Sequence, residues 1–184
     1  ILGSGAFQGA KLSLGGVNQI DNAACAIAAA QVLGLHADAI RYGLTHAQNM
    51  GRFERISARV YFDGAHNPDG VSALNRNLDR YFPGAEKTYI MATMRDKDIR
   101  PSLRMLHDGM ACFQMVSVRD NARSMPAEQL AQIALEEGLQ ARAYPTLREA
   151  YDDALASGKL VILCGSLYLY KDFWEMQRAA AQEK

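Results

Sequence analysis

From residue 59 to residue 164 the chain repeats one pattern: a short apolar run, then a segment with apolar residues at helical spacing. No other feature restricts the fold as much. The runs 59–63, 88–93, 111–118, 141–144 and 160–164 read as strands, being short and rich in β-branched and aromatic residues. The segments 67–82, 99–107, 126–137 and 147–156 read as helices; in the first, Val71, Leu74, Leu78 and Tyr81 fall on one face. Their ends are marked. Asn67 suits an N-cap and Pro68 the first helical position, where a missing N–H costs nothing. Thr146 with Glu149 forms a capping-box pattern, while Gly138 and Ser157-Gly158 are stops.

Strands alternating with helices of this length predict an α/β fold, a mostly parallel Rossmann-like sheet with helices on both faces. The first 48 residues have another character. Residues 1–16, with five glycines, read as a hairpin at the edge of something larger. An alanine-rich helix over 23–33 ends at Gly34, and a shorter helix covers 38–44. The predicted division is a remnant of another domain at 1–48 and a complete α/β domain at 49–184. A start at Ile1 rather than Met is expected of a piece of a longer polypeptide.

Composition removes several function classes. Twenty basic and twenty acidic residues give zero net charge, which argues against a dominant nucleic-acid or membrane footprint. Cys25, Cys112 and Cys164 are odd in number, far apart and set in apolar runs, as expected of buried, reduced thiols in a cytoplasmic protein. No apolar run is long enough to span a bilayer. No second His or Cys stands at ligand spacing near His66, so no metal site is expected in these residues.

In an open α/β sheet, ligands bind beyond the carboxyl ends of the strands. Asp63 and His66 follow the first predicted strand, and Met94-Arg95-Asp96-Lys97-Asp98 the second. Arg119-Asp120-Asn121 and Arg123 follow the third, and Gly165-Ser166 the last. Asp63 either accepts hydrogen bonds from a ribose or caps a turn with its own backbone. His66 either touches a phosphate or is a satisfied structural histidine. Arg52 in Gly51-Arg52-Phe53-Glu54 can grip phosphate with two parallel donors, or is a solvated linker charge. Lys97 either binds a carboxylate or belongs to a surface charge run, and Asn22 is explained by helix capping. Phe173 and Trp174 are expected to cover the sheet edge as core. Neither a Gly-x-Ser-x-Gly elbow nor a Gly-x-x-x-x-Gly-Lys-Ser/Thr loop is present.

The ordered set of motifs resembles one family. Asp63-Gly64-Ala65-His66-Asn67-Pro68 resembles the opening of the C-terminal domain in folylpolyglutamate and dihydrofolate synthases, members of the Mur ligase superfamily. Asn18-Gln19-Ile20-Asp21-Asn22-Ala23-Ala24, Gly51-Arg52-Phe53-Glu54, Asp96-Lys97-Asp98, Arg123 to Glu128 and Cys164-Gly165-Ser166-Leu167-Tyr168 are similar to further pieces in the same order. Gly64 favours the folate branch, since peptidoglycan ligases usually carry an aromatic there. Met50 and Ala122 depart from prolines common in the family. The resemblance implies ATP-dependent joining of glutamate to a pterin carboxylate (dihydropteroate or folate) through an acyl phosphate. It implies adenine contact by Asn22, phosphate contact by Arg52 and His66, and ribose contact by Asp63. By weaker analogy Lys97 and Ser166 bind the incoming glutamate; His66 and Lys97 are the residues nearest the chemistry. The phosphate loop, the magnesium ligands and most of the folate pocket belong to N-terminal regions in that family. The chain is therefore expected to need that N-terminal part as a partner and to be inactive alone. Two alternatives remain open: another Mur-type amino-acid ligase, and a non-catalytic nucleotide-binding module.

Overall fold

The computed structural model describes residues 7–182. A six-stranded sheet runs in the order β1-β2-β6-β3-β4-β5. Its strands are β1 (Glu54–Ser57), β2 (Val60–Phe62), β3 (Lys87–Met91), β4 (Cys112–Met115), β5 (Gln140–Ala143) and β6 (Leu160–Cys164). All pairings are parallel except β1 with β2. The helices are α1 (Asn18–Val32), α2 (Ala37–His46), α3 (Pro68–Tyr81), α4 (Arg100–Leu106), α5 (Ala127–Glu136), α6 (Leu147–Ala156) and α7 (Tyr168–Gln182).

The sheet carries a core on each face. Val71, Leu74 and Leu78 of α3, Leu103 and Leu106 of α4 and Leu130 of α5 pack on Tyr89, Met91, Phe113, Met115 and Ile162. On the other face, Ala150 and Ala154 of α6 and Leu169 and Phe173 of α7 pack on Val60, Phe62, Ile90, Val161 and Leu163. Strand alternation sends Val161 and Leu163 one way and Ile162 and Cys164 the other. That is why β6, buried throughout, reads as an unbroken apolar run. The expected layout is borne out.

Caps act as their chemistry requires. The Asn67 side chain accepts the Gly70 N–H at 2.8 Å, with Pro68 opening α3. The Thr146 hydroxyl oxygen accepts the Glu149 N–H, and its own hydrogen goes to the Glu149 carboxylate.

Several expectations need correction. Of the three cysteines only Cys164 is buried; Cys112 is half-buried and Cys25 exposed on α1. Residues 7–16 contain no strand; residues 1–6, the rest of the expected hairpin, lie outside the described residues. Ser13 instead bonds the backbone of Leu44 and Ala47 at the end of α2. Helix α1 begins at Asn18, so Asn22 lies in its second turn and is not its cap. Its amide donates to Gln19, one turn back. Strand β1 and helix α7 were not expected. Phe173 is fully buried under α7 on a sheet face rather than at the sheet edge, with Trp174 packed against the same core.

Candidate active site at the carboxyl ends of β2 and β6

The chain leaves β2 and β3 toward one face and β6, which lies between them, toward the other. Crevices open at such switch points. Beyond the last ladder residues the backbone stays joined. The Asp63 N–H donates to Leu163 O, the Gly165 N–H to Ala65 O, and the Ala92 N–H to Cys164 O. These bonds bring the Asp63–His66 turn and Gly165-Ser166 together. Gly165, at φ +92°, is required here: a Cβ on it would sit 2.3 Å from Ala92 O.

Asp63 is buried, and each carboxylate oxygen accepts one backbone N–H: Oδ1 from Ala65 and Oδ2 from Phe53, both at 2.9 Å. Burial pushes its carboxyl above the usual range; the two amides and the Arg52 charge pull it back. The turn-capping alternative is thus present. The second lone pair on each oxygen is not used by these bonds. Half-buried His66 points Nδ1 at Gly64 O, 2.8 Å away.

Arg52 lies between two left-handed residues, Gly51 (φ +70°) and Phe53 (φ +44°). The Gly51 N–H donates to Glu54 Oε2, and Gly51 O accepts from the Gly64 N–H, both at 2.7 Å. Among the described residues the half-buried guanidinium has no hydrogen-bond or ion-pair partner, although its charge reaches Asp63. It also lines a cleft of about 1140 Å³ together with Tyr61, Tyr81 and Tyr170. That cleft lies toward β1 and does not include Asp63, His66 or Ser166. In open α/β sheets ligands bind beyond the carboxyl ends of the strands, which makes the strand ends rather than this cleft the candidate site.

Ser166 is buried, and its hydroxyl accepts the Tyr168 N–H at the start of α7. Lys97 is exposed on the β3–α4 loop, its N–H bonded to Met94 O. That loop is stitched to the β4–α5 loop by the Arg95 N–H on Arg123 O and by Arg123 paired with Asp96. The Arg119 N–H donates to Asp172 of α7. Asn22 is exposed on α1, with no hydrogen bond to the strand-end residues among the described residues. The structure therefore joins Arg52, Asp63, His66 and Ser166 through shared backbone contacts. Lys97 stands on a neighbouring loop, and Asn22 stands apart.

Sequence reasoning missed Glu54 and Tyr170. The Tyr170 hydroxyl donates to Glu54 Oε1 at 3.0 Å across 116 positions, a separation no local pattern reveals. It also missed Thr93, at the end of β3, whose fully buried hydroxyl lacks a partner among the described residues.

The family described as Mur ligase, glutamate ligase domain, matches residues 51–167. The chain belongs to the Mur ligase family. As a Mur ligase C-terminal domain it has relatives in two branches. It is 32% identical over 157 residues to the dihydrofolate synthase/folylpolyglutamate synthase of Escherichia coli (strain K12), covering 80% of this chain and 35% of that protein. It is 33% identical over 168 residues to the UDP-N-acetylmuramoyl-L-alanyl-D-glutamate--2,6-diaminopimelate ligase of Caldanaerobacter subterraneus subsp. tengcongensis, covering 84% of this chain and 34% of that one. The chain thus spans about a third of the length of these relatives. Among solved structures, Mycobacterium tuberculosis folylpolyglutamate synthase complexed with ADP and AMPPCP superposes with a TM-score of 0.80 at 27% identity, over 90% of this chain and 41% of that one. The bifunctional synthase of Yersinia pestis complexed with AMPPNP and a manganese ion gives 0.69 at 26% identity, over 78% of this chain and 35% of that one.

Proposed function

We propose that these residues form the C-terminal part of an ATP-dependent ligase that joins glutamate to a pterin carboxylate, dihydropteroate or folate. The observation that carries this reading is a half-buried guanidinium at Arg52 that has no hydrogen-bond or ion-pair partner among the described residues, beside the carboxyl ends of β2 and β6, in a Mur ligase domain. A planar fork of donors left unpaired among the described residues suits a phosphate group.

A carboxylate is a poor electrophile, so the reaction needs activation. The substrate carboxylate oxygen attacks the terminal phosphorus of ATP, ADP leaves, and an acyl phosphate forms. The glutamate nitrogen then attacks the acyl carbon, phosphate departs and the amine loses its proton. The protein supplies positioning and charge stabilisation. Arg52 holds phosphate oxygens, and His66 lies beside them. Asp63 accepts ribose hydroxyls with the lone pairs its backbone bonds leave over, and Asn22 meets the adenine when the rest of the ligase is assembled around α1. Lys97 and Ser166 receive the glutamate carboxylates, Ser166 with its remaining hydroxyl capacity. Magnesium is held by residues outside this chain and neutralises phosphate charge when bound.

Residues 1–48 belong, in this reading, to the preceding nucleotide-binding domain, and 49–184 to the C-terminal domain. Helix α1 supports the division: it carries apolar residues all round yet has none buried. Its surface is covered by the N-terminal part of the ligase. Taken alone, the 184 residues have half of the ATP site and no ligase activity.

The similarity to the diaminopimelate ligase supports a second reading, a peptidoglycan-type ligase using another amino acid. Gly64 weighs against it, because Leu167 occupies the space an aromatic side chain would need. Activity of the complete polypeptide with dihydropteroate or folate against UDP-linked peptide, read as amino-acid-dependent ADP release, decides between them. Titrating ATP into the 184-residue chain by calorimetry tests the half-site: weak or no binding is expected, whereas tight binding would favour a nucleotide-binding module.

A further inference from the structure

Arg52 is flanked by two left-handed residues, and a positive φ is not what Phe53 adopts by preference. The loop is held from outside, and its anchors converge on the residues flanking Arg52. Asp63 takes the Phe53 N–H and the Gly64 N–H takes Gly51 O, both from the end of β2. The third anchor comes from further away. Glu54 uses one carboxylate oxygen for the Gly51 N–H, 2.7 Å, and the other for the Tyr170 hydroxyl, 3.0 Å. Tyr170 is itself set by its ring, which meets Phe62 edge-on with centroids 5.0 Å apart. It stands one helical turn beyond Ser166, at the start of α7. Both sides of Arg52 are thus pinned, while its guanidinium is left free among the described residues.

We propose that Glu54 and Tyr170 are positioning residues for Arg52: the Tyr170–Glu54–Gly51 chain of hydrogen bonds fixes the backbone from which the guanidinium reaches phosphate. The proposal rests on the reading of Arg52 as a phosphate contact. Glu54 does not touch nucleotide; it acts through the Gly51 amide. A glutamine at this position keeps the arrangement, because its oxygen accepts the Gly51 N–H and its NH₂ donates to the Tyr170 oxygen. Alanine at 54 removes both bonds, and phenylalanine at 170 removes only the outer one.

The test is steady-state kinetics of the complete ligase polypeptide, with KM for ATP and KM for glutamate measured separately. Glu54→Ala is expected to raise KM for ATP about tenfold and Tyr170→Phe about threefold, with KM for glutamate unchanged. Glu54→Gln should stay within about twofold of the parent, the rescue a positioning role predicts. Arg52→Ala is the control and should raise KM for ATP more than any of these. Unchanged KM for ATP in both Glu54→Ala and Tyr170→Phe, with a raised value in Arg52→Ala, overturns the proposal alone. An unchanged value in Arg52→Ala overturns the phosphate reading of Arg52 and this inference with it. Glu54→Gln as impaired as Glu54→Ala would assign the effect to charge and also overturn it. Should Glu54→Ala not fold, Tyr170→Phe carries the comparison.

Discussion

Leu167 lies against Gly64 so closely that a Cβ on Gly64 would fall 2.3 Å from Leu167 Cδ2 and 2.7 Å from Cγ. Gly51 borders the same side chain, at 3.0 Å by the same construction. Two glycines, one on the linker and one at the end of β2, thus form a notch that receives a residue from the β6–α7 loop.

Gly64→Ala is expected to cost about 1–3 kcal/mol through overpacking. Leu167 is 43% exposed and the overlap is with its side chain alone, so Leu167→Ala should recover most of that loss in the double variant. Urea denaturation of the four proteins of the cycle checks this; strict additivity would exclude the contact.

Gly165→Ala should be worse and beyond rescue. The new Cβ meets backbone, Ala92 O at 2.3 Å, and φ is +92°. A loss of at least about 3 kcal/mol, or failure to accumulate as folded protein, is expected from strain and overlap together. Thermal unfolding followed by circular dichroism measures it.

Asp63→Asn replaces one acceptor by a donor that faces a backbone N–H. Either Phe53 or Ala65 then loses its partner. A loss of about 2 kcal/mol follows for a buried hydrogen bond to a charged group. Faster amide exchange at Phe53 would locate the damage in the Arg52 loop, and an unchanged Phe53 rate would count against the tether.

Glu137 predicts an acid-sensitive clamp between α4 and α5. Arg104 and Arg100 hold its carboxyl down from 4.5 to about 2. A depressed pKa means that the folded state holds the charge more firmly than the unfolded chain. Its stabilisation is therefore complete above about 4.5 and fades as pH falls toward about 2. Glu137→Gln should lower the melting temperature at pH 6 by more than at pH 2.5. Equal shifts at both pH values would dismiss the clamp.

Much of this domain is legible in its sequence because local chemistry and tertiary structure agree. Asn67-Pro68 and Thr146 start their helices through their own side chains, and β6 reads as a strand because both its faces are buried. Strand β1 escapes notice because it is a short edge strand, Glu-Arg-Ile-Ser, alternately half-buried and exposed. Asn22 looks like a cap, yet α1 simply starts a turn earlier. In the candidate site, the residue types at the strand ends are visible from spacing. Their partners are not. That Asp63 binds the amide of Phe53, or that Glu54 receives Tyr170, depends on where β1 and α7 come to lie.

The place of β6 between β2 and β3 has a consequence for biosynthesis. As the chain is made, β2 and β3 emerge early but share no edge; each waits for a strand about seventy or more residues downstream. Until then both present open parallel edges, and the closure is long-range and slow in kind. The Arg52 loop waits too, since Tyr170 arrives later still. Truncation before Leu160 should leave no smaller, working version of the domain, only two unjoined pieces of sheet prone to pair with other chains.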